Sequence, residues 1–87
     1  MNEISEMIDA RQFTALANAG AVKNVAVVGT DGGFLVKVND NLIEVKRGHP
    51  RLFRKLQTAA SFIRDKGISE FSVDLKQWKP EQRAIFN

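Results

Sequence analysis

The chain has 87 residues, of which 44% are hydrophobic and 26% charged, with a formal net charge of +3. That length fits one domain with a modest core. The absence of cysteine excludes disulfides, thiolate nucleophiles and thiolate zinc sites, and no apolar run approaches the ~20 residues that span a bilayer.

Residues 1–8 are ambiguous: Ile4 and Ile8 either extend a helix or belong to a loose start. Glu3, Glu6 and Asp9 precede the first base, Arg11. A secretory leader has a basic start and an apolar stretch, so none is expected here and a cytoplasmic location is. A first helix is expected from Asp9 to Ala19. Asp9 and Gln12 have the spacing of a capping box. Phe13, Leu16 and Ala17 share one face, and Gly20 suits the left-handed stop.

Val22 to Val28 carries four valines and reads as a strand buried on both faces. Thr30-Asp31-Gly32-Gly33 signals a tight turn. Phe34, Val36 and Val38 alternate with Leu35 and Lys37 as a second strand. Asn39-Asp40-Asn41 is a second turn, since Asn and Asp tolerate left-handed backbone. Leu42, Ile43 and Val45 make a third strand, and the three form an antiparallel meander.

Arg47 to Arg51 reads as a polar connection that breaks the sheet, because Pro50 has no N–H to give a ladder. A second helix is expected near Leu56 to Lys66, with Phe53, Leu56, Ala59, Ala60 and Ile63 as its apolar stripe and Gly67 as its stop. Ile68, Phe71, Val73 and Leu75 predict a fourth strand. Residues 80–87 are expected to form a flexible tail or one helical turn opened by Pro80. The expected fold is a small single α+β domain of order α-β-β-β-α-β. It is an antiparallel meander with the second helix packed on the sheet, while the first helix covers an edge or shares that face.

Little in the sequence suits catalysis. The one histidine, His49, stands in a basic loop without a partner for acid–base work. Neither a His pair nor an acidic cluster has metal-ligand spacing. Asp31-Gly32-Gly33 lacks the Gly-Lys-Ser/Thr continuation of a phosphate loop and lies between strands. No catalytic residue, metal or cofactor is expected.

One segment stands out. Residues 46–55 hold five bases (Lys46, Arg47, Arg51, Arg54 and Lys55), His49 and no acid. Those five exceed the net charge of +3, so the rest of the chain is net acidic. Localised positive charge is what contact with phosphates requires. Arg47 and Arg51 can fork onto phosphate or carboxylate oxygens. The first turn of the second helix, near Leu56 and Gln57, points backbone donors at an anion held there. The plainer reading is a solvated surface loop, with Leu52 and Phe53 anchoring it to the core. An acidic protein suits the same charges.

Trp78 and Phe86 are candidate interface anchors, or a lid over one end of the core. A small sheet also leaves an edge strand, and homodimerisation is one way to cover it.

The stretches Phe13-Thr-Ala-Leu-Ala-Asn-Ala-Gly-Ala-Val22 and Val27-Val-Gly-Thr-Asp-Gly-Gly-Phe34 carry a family resemblance. So do Arg51-Leu-Phe-Arg-Lys-Leu-Gln-Thr-Ala-Ala60 and Gly67-Ile-Ser-Glu-Phe-Ser-Val-Asp-Leu75, with Trp78 and Pro80. From about Asp9 to Pro80 the chain resembles the small ParC-type partition-associated proteins encoded on bacterial plasmids and integrated mobile elements. The resemblance implies a bacterial accessory protein that contacts DNA or a partition protein, and it brings no catalytic residues. The leading reading is a non-catalytic DNA-contacting module; the rival is a protein-interaction or homodimerisation module.

Overall fold

The computed structural model describes residues 7–79. The element order is β1 (Met7–Ile8), α1 (Ala10–Asn18), β2 (Val25–Thr30), β3 (Gly33–Val38), β4 (Asn41–Lys46), β5 (His49–Pro50), α2 (Leu56–Arg64) and β6 (Ser72–Asp74).

Local chemistry sets the start of α1. The Gln12 N–H donates to Asp9 Oδ1 at 2.8 Å and the Asp9 N–H donates to Gln12 Oε1 at 2.9 Å. This reciprocal pair satisfies two donors left free by the first turn. Gly20 ends the helix region at φ +68°. The ambiguity over the first residues resolves against a longer helix for the part described: Met7 and Ile8 form a strand parallel to β4, and Ile8 joins the core.

The two turns are as expected. Asp31 and Gly32 connect β2 to β3. Asn39 (φ 51°) and Asp40 (φ 72°) connect β3 to β4. Two left-handed residues in succession match the twist of the strands they join. Asn39 adds a staple that the turn reading did not include. Its Oδ1 accepts from the N–H groups of Lys23 and Asn24, at 2.7 and 3.2 Å, and its Nδ2 donates to the Ala21 carbonyl at 3.0 Å.

Three expectations need correction. The meander holds for β2–β4, but the sheet is mixed, in the order β1-β4-β3-β2-β6, with β6 parallel to β2 and β5 attached to β4. The valine run begins its strand only at Val25, and its side chains alternate between buried and half-buried. It is not covered on both faces, because α1 and α2 lie on the same side. The connection at 47–51 does not break the sheet. It turns back as β5, with Pro50 opposite Glu44, and the Arg51 N–H donates to the Ile43 carbonyl at 2.8 Å. Pro50 lacks only one donor, and the following residue supplies the next bond.

A fork results. The strands β3 and β4 pair only at Lys37↔Leu42 and Val38↔Asn41. Beyond that they part, and the chain from His49 to Phe53 fills the gap. One side pairs with β4, while Phe53 exchanges two backbone hydrogen bonds with Phe34, at 2.7 and 2.8 Å.

The core lies between the sheet and both helices. Val25, Val27, Val36, Val38 and Ile43 meet Phe13 of α1 and Ala59 and Ile63 of α2. Phe62 bridges the helices and the fork, with ring centroids 5.7 Å from Phe13 and 5.3 Å from Phe53. The first helix therefore shares the second helix's face. Fully burying a side chain such as Phe13 stabilises the fold by about 1.5–3 kcal/mol.

Candidate anion-binding interface

The basic segment 46–55 does not form one surface. It divides into the tip of a ribbon, an inward-turned arginine and the start of α2.

The ribbon is the hairpin β4–β5. Every residue from Val45 to Pro50 is exposed, and Val45 is 64% exposed although it is aliphatic. Gly48 makes the reversal at φ +78°, where a side chain would be strained. Its N–H donates to Glu44 Oε1 at 3.2 Å. Lys46, Arg47 and His49 consequently stand together at the outer end, with Glu44 at the base. Asp9 and Glu44 line a shallow cleft with Lys46 and Arg47.

Arg51 goes elsewhere. Along an extended chain alternate side chains point to opposite sides, and Phe53 is fixed in the core at 3% exposure. Arg51 therefore faces the helices. Its guanidinium carbon lies 4.7 Å from the Phe53 ring centroid and 5.0 Å from that of Phe62. Leu52, between them, faces the other way and is 47% exposed. The expected anchor is thus Phe53 alone, and Arg51 serves packing through cation–π contact.

Arg54 and Lys55 are exposed at the start of α2. Lys55 occupies the capping position with no side-chain hydrogen bond, and the first turn carries no acid. Arg54 shares a cleft with Asp31, Trp78 and Lys79.

Trp78 is turned inward. Its ring stacks on Phe34 at 5.7 Å, and a Cβ placed on Gly29 would fall 2.5 Å from the Trp78 Cβ. Only glycine at 29 lets the tryptophan approach so closely, so Trp78 is a lid on the core. Phe86, the other anchor candidate, lies outside the described residues.

Two bases outside the basic segment make contacts that sequence reasoning did not give them. Lys79 reaches the Arg54 cleft across more than twenty residues, a contact with no local signal. Lys66 Nζ donates to Thr14 Oγ1 at 2.9 Å and lies 5.2 Å from the Phe62 ring centroid, so Phe62 carries two cations.

Among the described residues the only ion pair is Lys76 Nζ with Asp74 Oδ2 at 3.5 Å, at the end of β6. The Asp74 carboxyl is held below its ordinary range, first by the Lys76 backbone N–H and then by the charges of Lys76 and Lys37. None of Lys46, Arg47, Arg54 or Lys55 is neutralised by a carboxylate within 4.0 Å among those residues. No three His, Cys, Asp or Glu groups among them converge as metal ligands. No helix among them is long and apolar enough to cross a membrane.

A family model described as ParC-like matches residues 8–82. No curated protein and no solved structure matches the chain.

Proposed function

The chain belongs to the ParC-like family, and we propose that it is a non-catalytic plasmid or mobile-element accessory protein, associated with partition in the bacterial cytoplasm. It contacts DNA phosphates, or a DNA-bound partition protein, through Lys46, Arg47 and His49 on the ribbon and Arg54 and Lys55 at the start of α2. The observation that supports this reading best is the ribbon itself. The projecting end of a two-stranded hairpin, exposed from Val45 to Pro50, carries two bases and an imidazole, and a ribbon of that kind fits the ~12 Å width of a DNA major groove. Binding is mainly electrostatic, so this surface discriminates weakly between sequences.

Fluorescence anisotropy with a labelled duplex at low and moderate salt tests the reading. About four phosphate contacts make affinity fall roughly 100-fold between 50 and 200 mM salt. Lys46→Glu with Arg47→Glu should abolish most of the binding. The proposal fails if the wild type does not bind at low salt, or if the double variant binds equally well. A chain that ignores DNA yet captures an acidic protein would favour the rival interaction module.

A further inference from the structure

The sheet has a second face. Register puts Met7, Ala26, Val28, Leu35 and Leu42 on the side opposite the core: Val28 pairs with Leu35, Ala26 and Leu42 both pair with Lys37, and Leu42 pairs with Met7. Both helices pack on the other side, so among the described residues no element covers this one. Leu52, 47% exposed, extends it beside Gly32 and Gly33. An antiparallel sheet with one solvated face ordinarily alternates apolar-in with polar-out. Here the outward positions of the central strands are largely aliphatic.

We propose that this open face is the contact between two copies of the chain, paired sheet to sheet about a two-fold axis. Charge argues for a like partner. The face carries Lys37 on β3 between Glu44 on β4 and Asp74 on β6, and Lys76 is paired with Asp74 at its border, so bases and acids balance and it lacks the positive excess of the rest of the molecule. A nucleic acid has nothing to hold there, whereas a second copy meets no net repulsion. Turned about a two-fold axis, Lys37 of each copy can meet Glu44 of the other, and the pairing occurs twice. Size permits a second copy. Strands about 4.8 Å apart make the sheet roughly 24 Å wide, and its central strands of six residues run about 20 Å, while β1 and β6 have two and three residues. The flat area this leaves is below the ~800 Å² per partner of a standard interface, which suits a weak, concentration-dependent dimer. The inference stands independently of DNA binding.

Sedimentation equilibrium on the full chain, from micromolar to near-millimolar concentration, tests it. The wild type should self-associate to a dimer. Val28→Asp with Leu35→Asp should raise the dissociation constant at least ~100-fold, with far-UV circular dichroism showing the fold retained. Lys37→Glu exchanges one charge for another without altering packing. It should weaken the dimer about tenfold, and adding Glu44→Lys should recover most of the loss. If the aspartate variant does not fold, the charge pair decides. A wild type that stays monomeric overturns the proposal and leaves the face to the chain's own end segments or an unlike protein. A dimer that tolerates both sets of changes overturns it equally, since the contact must then lie elsewhere, as at the β6 edge.

Discussion

Arg47 and Arg51 stand four positions apart in one basic run and have opposite surroundings. Arg47 sits at the tip of a hairpin, exposed and joined to the body only through β4 and β5. Arg51 lies in the fork of the sheet, stacked on Phe53 and Phe62. The residue type is the same; strand alternation and one buried neighbour make the difference. A count of bases therefore overstates the charge offered to a partner. Register decides which cations are presented and which hold the structure.

The comparison breaks most visibly at Phe53. Phe53→Ala should cost about 3–5 kcal/mol in urea unfolding, since the ring is 3% exposed and meets Phe62. A loss below about 1 kcal/mol would mean the fork is not a packing unit. A smaller effect is expected from Arg51→Met, which keeps an apolar stem and removes the charge. It should cost about 1 kcal/mol and leave the salt dependence of DNA binding nearly unchanged. Arg47→Ala should do the reverse. Stability should stay within about 0.5 kcal/mol, while the slope of log affinity against log salt falls by about 1. Equal behaviour of the two arginines in both assays would erase the distinction between tip and fork.

The smallest effect concerns Asp74, remote from both regions. Its carboxyl pKa is depressed, so its contribution to stability is present above the ordinary value of 3.8 and is lost as pH falls through the folded one. Carboxyl NMR titration should find that Lys76→Ala raises this pKa only part of the way. The larger cause is the backbone N–H of residue 76, which the substitution retains.

What was legible in the sequence was what neighbours decide among themselves. The Asp9–Gln12 cap, the Asp31-Gly32 turn and the left-handed Asn39-Asp40 pair are short-range chemistry, and each stands where it was expected. Strands of two or three residues were not legible as pairings. Met7–Ile8 and His49–Pro50 exist because β4 offers an edge to each, and no periodicity can register in two residues. Ser72–Asp74 lies inside the strand expected from the alternation of Ile68 to Leu75, but its parallel pairing with β2 was not legible. The basic segment was visible as composition, but its division was not. The direction of Arg51 depends on Phe53 meeting Phe34, nineteen positions away in the chain.

The stacking of Trp78 on Phe34 beside Gly29 has a practical side. The chain holds one tryptophan and no tyrosine, so its intrinsic emission reports on a single joint, where the strand after α2 closes onto the β2–β3 hairpin. Circular dichroism registers the helices instead. Should that last strand detach before the helices melt, the fluorescence transition will run ahead of the dichroic one, and the protein will disclose its own weakest seam without any label.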